Sequence, residues 1–234
     1  NGEGFTFSAK GACAFPENEQ SGRLAVALLN SIVAAKLFEF LSPTLDFNVG
    51  VIRQIPVAED LASHEAARVQ QNAFHLVDAA RSDWDAYETS WDFTTLPLLS
   101  PDHRTDTLEA TYTRLRAHWQ GMTDEMQRLE EENNRIFIDD YGLQDGLTPE
   151  VPLEEITLTC NPAYRYGVKI PADEREKRLR ADTMAEFLSY AVGCMFGRYS
   201  LDAPGLILAN QGETLADYLA RVPNPTFLPD ADNV

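Results

Sequence analysis

Lysine and arginine are scarce in this sequence: 19 against 37 aspartates and glutamates, for a formal net charge of −18. A surface that binds nucleic-acid phosphate needs cations to displace counterions. The deficit is uneven: residues 1–58 carry −1, residues 59–160 carry −15 and residues 161–234 carry −2. The middle is thereby excluded as a main phosphate-facing surface, and only the two ends remain open to that role. Cysteine is nearly absent. Cys13, Cys160 and Cys194 are odd in number and far apart, which fits reduced thiols in a cytoplasm better than a disulfide framework or a CxxC metal site. The four histidines, His64, His75, His103 and His118, have no carboxylate or cysteine at ligand spacing, so no metal is expected. Long apolar runs are missing too. The longest clean stretch, Leu24–Leu29, falls far short of the roughly 20 residues of a membrane helix. No basic segment followed by an apolar one suggests secretion, and no membrane partner is expected. Phosphate-loop, nucleophile-elbow and HExxH patterns are likewise lacking. Asn1-Gly2-Glu3-Gly4 has neither the third glycine nor the preceding strand of a dinucleotide loop.

What is present is an ordinary globular composition, 44% apolar, over a length that holds one large domain or two small ones. The chain starts at Asn1 rather than Met and stops just after a proline-rich stretch, so both ends are expected to be cuts from something longer. The fold class expected is mainly α, with a long helical hairpin, a third long helix and a small β element near the N-terminus. Phe5–Ser8 alternates as a short strand would, and so do Leu45–Val49, Val51-Ile52 and Ile55–Val57. Between them Ser21 is a plausible cap for a helix from Gly22 to Leu41, with Leu24, Leu28, Ile32, Ala35 and Phe38 on one side and Pro43 ending it. From Glu59 to Ser90 the spacing of Val69, Ala73, Val77, Ala80, Trp84, Tyr87 and Trp91 predicts one helix or a kinked pair. Leu108, Tyr112, Leu115, Trp119, Met122, Met126, Leu129 and Ile136 fall on heptad positions, with Asn133 at the remaining one. That predicts a long helix from Asp106 to Ile136 packed as a hairpin on the one before it, the alternative being an intermolecular coiled coil. Ile156–Thr159 reads as a possible short strand. A third helix is predicted over Asp173–Phe196, with Leu179, Met184, Phe187, Leu188, Ala191, Val192 and Met195 turned inward. Beyond Gly197 four prolines predict irregular chain.

Asn161-Pro162-Ala163-Tyr164 invites a chemical reading. In adenine methyltransferases an Asn-Pro-Pro-Tyr motif accepts hydrogen bonds from the target amine and stacks a tyrosine on the flipped base. Here Ala163 replaces the second proline and no glycine-rich cofactor loop precedes it. An Asn-Pro turn accounts for the same residues.

Longer blocks carry a resemblance. Leu29–Ser31, Ser42–Gly50 and Ile55–Val57 resemble the closing segment of a DNA target-recognition domain in fused adenine methyltransferases, type IIG and IIL restriction enzymes included. Ile138–Leu143, Glu155–Leu158, Asn161-Pro162 with Tyr164–Gly167, Ser189–Asp202 and Pro204–Ile207 resemble the PglX family in particular. That family comprises adenine-specific DNA methyltransferases of bacterial BREX phage defence. The resemblance implies a cytoplasmic parent enzyme that methylates adenine in double-stranded DNA with S-adenosylmethionine, alongside other BREX proteins. It implies that residues 1–58 end a target-recognition domain and residues 59–234 form an acidic helical C-terminal domain. The family's catalytic motif and cofactor loop lie upstream of this region, so no catalytic residue and no cofactor is assigned within the chain. Lys10, Lys36 and Arg53 are the candidate DNA-contacting residues, with the Arg175–Arg180 group as a further possibility. The contrasting reading is a non-catalytic scaffold that docks other defence proteins, or the equivalent region of a type IIG or IIL restriction-modification enzyme. Cations gathered on one face favour the first reading. Scattered cations beside an exposed apolar patch favour the second.

Overall fold

Every regular element among the described residues is helical. A computed structural model describes residues 13–42, 49–57 and 63–230, and the chain divides into two compact units. The helices are α1 (Glu19–Leu29), α2 (Ile32–Leu41), α3 (Val49–Ile52), α4 (Ser63–Asp85), α5 (Leu108–Asp140), α6 (Pro162–Tyr166), α7 (Ala172–Met195) and α8 (Leu215–Arg221). Short 3-10 turns lie at Pro97–Leu99 and Leu153–Glu155. No single helix among the described residues is long and apolar enough to cross a membrane.

The first unit comprises the described residues up to Asp78 together with Glu125–Pro152. The single helix expected over Gly22–Leu41 is two, bent by 68° at Asn30-Ser31. Asn18, not Ser21, caps the first by accepting from the Ser21 amide at 2.9 Å. The break lies where two short polar side chains can satisfy helix ends. Asn30 donates to the Val26 carbonyl at 2.8 Å, Ser31 donates to the Leu28 carbonyl at 2.7 Å, and Ser31 accepts from the Ala34 amide at 3.2 Å. The predicted β element is not found among the described residues. Val49–Ile52 is a helical turn, closed by the Arg53 amide on the Val49 carbonyl and by the Gln54 side chain on Gly50. Its β-branched residues gave an extended pattern, but Val51 and Ile55 are buried instead by packing this turn into the core. Phe5–Ser8 and most of Leu45–Val49 lie outside the described residues. Around Leu28, Val33, Ala34, Ile55, Val69, Ala73 and Phe137 the unit builds one apolar cluster.

Asn72 on α4 donates to Asn133 on α5 at 3.0 Å, both buried, and Arg68 pairs with Glu132 at 3.3 Å. The one polar heptad position is thus matched inside the chain.

The second unit comprises Ala79–Asp124 and the described residues from Leu153. Leu115 and Trp119 are buried in it, Tyr112 and Met122 partly so, and Leu108 at the start of α5 is exposed, so the heptad stripe becomes core from about its second turn on. On α4, Trp84 is exposed, as is Trp91 beyond the helix end, and Asp83 is buried in their place. Ile156–Thr159 is not a strand but the chain between a 3-10 turn and α6. Phe93, Leu96, Tyr190, Cys194 and Tyr199 form a cluster in which Tyr190 and Tyr199 stack at 4.9 Å and Phe93 meets both edge-on. A Cβ on Gly193 would come within 2.6 Å of the Tyr199 ring, so only glycine fits there. Helix α8, which proline content had obscured, starts in a reciprocal cap between Thr214 and Asp217 and buries Tyr218 against Ile207 and Val222.

Helix α7 has the expected extent but a different face inward. Its buried positions are Leu179, Thr183, Tyr190, Gly193 and Cys194, and Leu188, Val192 and Met195 are exposed. At 100° per residue the two sets lie on opposite sides of the helix.

Candidate functional site

The Asn161 turn is the best-built polar feature of the second unit. Asn161 is buried and caps α6. Its amide nitrogen donates to the carbonyls of Leu153 (2.7 Å) and Ile156 (2.9 Å), and its oxygen accepts from the Ala163 amide (3.0 Å). Pro162 follows at the first helical position, where its missing N–H costs nothing. Both ends of the Asn161 side chain are therefore spent on holding its own loop. Asp83 holds the same loop from α4, accepting from the amides of Thr159 (2.6 Å) and Cys160 (3.0 Å). Burial, with Asp83 alongside, pushes the Cys160 thiol far up and leaves it a neutral, inert group. Tyr164, the would-be stacking residue, is about half exposed and lies one turn away on α6.

Beside this turn is a cavity of about 400 Å³ whose lining includes Trp84, Tyr87, Glu88, Arg165, Glu186 and Ser189. Arg165 pairs with Glu186 at 3.0 Å and Asp182 at 3.2 Å, and its guanidinium lies 5.6 Å from the Tyr87 ring centre. Glu88 pairs with Arg198 at 2.8 Å. Burial raises the Glu186 carboxyl, and Arg165 works against that shift. Burial also raises the Tyr87 phenol, helped by Asp83 and Glu186. Two buried atoms of the lining residues, Glu88 Oε1 and Arg165 Nη1, have no hydrogen-bond partner. Sequence reasoning missed this network. One signal existed: Asp83 stands fourteen residues after the buried Val69, four helical turns on the inward face, where a carboxylate requires a buried partner.

The described candidate cations sit on three separate elements, α2, the chain just after α3, and α7. Lys36, on α2, pairs with Glu39 at 2.9 Å. Arg53, exposed just after α3, makes no ion pair among the described residues. Lys10 lies outside the described residues. On α7, Lys177 pairs with Asp173 at 3.3 Å and Arg178 with Glu174 at 3.1 Å, while Glu176 is taken by Arg116 at 2.7 Å. Half of the Arg175–Arg180 group is thus neutralised along its own helix. No cluster of three or more histidine, cysteine or acidic side chains that could hold a metal occurs among the described residues.

No family model matches the chain. Two known proteins do. Over 224 residues, 94% of the chain, it is 35% identical to the adenine-specific methyltransferase PglX of Lacticaseibacillus casei (strain Zhang). Over 235 aligned residues, 99% of the chain, it is 31% identical to the adenine-specific methyltransferase BrxX of Escherichia coli O9:H4 (strain HS). The chain spans 17% and 19% of those two proteins, under a fifth of each. From end to end, then, this chain matches one stretch of the PglX and BrxX adenine-specific methyltransferases.

Proposed function

We propose that this chain is the recognition-and-support region of a site-specific adenine DNA methyltransferase of bacterial BREX defence. In this reading it positions double-stranded DNA for S-adenosylmethionine-dependent methyl transfer performed elsewhere in a longer cytoplasmic polypeptide. The observation that carries the reading is the match over nearly the whole chain to under a fifth of two adenine-specific methyltransferases. Residues 1–58 close the target-recognition part, and residues 59–234 are its helical support. The occupied hydrogen bonds of Asn161 support the absence of a catalytic role for that residue.

Lys10, Lys36 and Arg53 are proposed to meet DNA phosphate. The Lys36–Glu39 pair is exposed on both sides, and such a pair contributes little, so a phosphate can displace Glu39. The test is titration of duplex DNA with the parent enzyme and its Lys36→Ala and Arg53→Ala variants at several salt concentrations. Each variant should bind more weakly and flatten the dependence of log affinity on log salt by about one unit. Unchanged slopes would favour the second reading, an interaction scaffold for other defence proteins. That reading draws on the paired cations of α7 and on the exposed apolar face further along the same helix.

A further inference from the structure

Leu188, Val192 and Met195 run along one side of α7 at four- and three-residue steps, Phe196 follows as its C-cap, and each is about half exposed or more. The opposite side of the helix is already packed, by Tyr190 and Cys194 against Phe93 and Tyr199. Ser189, next to Leu188 on the exposed side, lines the 400 Å³ cavity, and so does the exposed Trp84. Stripe and cavity therefore adjoin. The charges there are matched, Glu88 by Arg198 and Glu186 by Arg165, so nothing at the cavity selects a charged occupant. Two of the lining residues carry a buried atom without a partner, Glu88 Oε1 and Arg165 Nη1. An exposed apolar stripe beside an open cavity has the character of half an interface.

We infer that this face of α7, with the adjoining cavity, is the seat for another part of the same polypeptide, an apolar segment that places one side chain in the cavity. The inference rests on the reading that the chain is one region of a longer methyltransferase. The occupant follows from length: the chain spans 17% and 19% of the two relatives, so more than four fifths of each is available to cover this face. A covering segment within one polypeptide is always present at high effective concentration, so a stripe of this size suffices without high intrinsic affinity.

The experiment is peroxide oxidation of the full-length polypeptide, read at each methionine by peptide mass spectrometry. Met126 is buried within the first unit and serves as the protected standard. Met195 should oxidise as slowly as Met126 in the wild-type polypeptide. In a Leu188→Glu, Val192→Glu double variant Met195 should oxidise several-fold faster while Met126 stays protected. Fast oxidation of Met195 in the wild type would overturn the inference, and so would protection that survives both charges. Protection lost on dilution from oligomer to monomer would assign the face to a second copy instead. Adenine methylation of host DNA is scored in parallel, because its absence refutes the methyltransferase reading whatever Met195 does.

Discussion

Replacing Asn161 by alanine removes three hydrogen bonds at a residue only 3% exposed. At about 1 kcal/mol net for each bond the loss is about 3 kcal/mol. Leu153 is exposed, so its carbonyl can turn to water, which brings the figure nearer to about 2 kcal/mol. The fully buried Ile156 carbonyl keeps the Leu158 amide as a donor at 2.8 Å, so it is not left bare either. Asn161→Asp is the sharper probe. It keeps the acceptor for the Ala163 amide but sets a carboxylate against two carbonyls in a buried turn. At neutral pH it should therefore cost at least about 1 kcal/mol more than alanine does, because one buried carboxylate oxygen then faces carbonyls with no donor of its own, which is worse than a missing group. In acid the carboxyl takes up a proton, donates to one carbonyl, and the gap between the two variants narrows. Urea denaturation of the three proteins at several pH values reads this ordering. In the parent enzyme, below the unfolding transition, Asn161→Ala should keep methylation within about tenfold of wild type. A true acceptor for the target amine would cost on the order of 10² or more. Equal stability of all three proteins, or a collapse of methylation in a folded Asn161→Ala enzyme, would refute the structural role.

Trp119→Ala should destabilise the chain by about 3–5 kcal/mol, as other large core truncations do; a near-neutral effect on urea denaturation accompanied by loss of a dimer would instead make the heptads an intermolecular seam. Gly193→Ala should cost about 1–3 kcal/mol in the same measurement, because the added methyl meets a Tyr199 ring pinned by Tyr190 and Phe93. His103 stacks near His118, and burial and then the His118 charge lower its pKa from 6.5. The unfolded chain thus takes up that proton at higher pH than the folded one does. Its contribution to stability is full above 6.5 and is lost as pH falls through the depressed folded value. His103→Gln should flatten the fall in denaturation midpoint between about pH 7 and about pH 5, and an unchanged slope would contradict the assignment.

The long helices were legible because their apolar spacing and local propensities agree. α5 and α7 were placed within a few residues of their ends from periodicity alone. Their facing was harder to read. On α7 the sequence offers two apolar stripes, one holding Tyr190 and Cys194 and one holding Leu188, Val192 and Met195, and only tertiary packing decides between them. On α4 the inward positions are held partly by Asn72 and Asp83, polar residues whose partners lie far along the chain at Asn133 and at Thr159-Cys160. Hydropathy assigns such residues outward, because it cannot register a distant donor. The break at Asn30-Ser31 is local, yet an Asn-Ser pair inside an apolar stripe reads equally as tolerated helix. The Asn161 motif, read from sequence as an Asn-Pro turn, is the N-cap of α6, where its side chain ties down its own loop. The arginine, glutamate and aromatic side chains beside it come from α4, α6 and α7 and the loop after α4, with no common spacing to announce them.

The proposal that this chain is part of an enzyme marking adenines in DNA is put to the test by methylation-sensitive sequencing of host DNA with the full-length gene present and deleted. N6-methyladenine is expected at one short recognition sequence when the gene is present, and none at that sequence when it is deleted. An adenine methylation pattern identical in the two strains would contradict it.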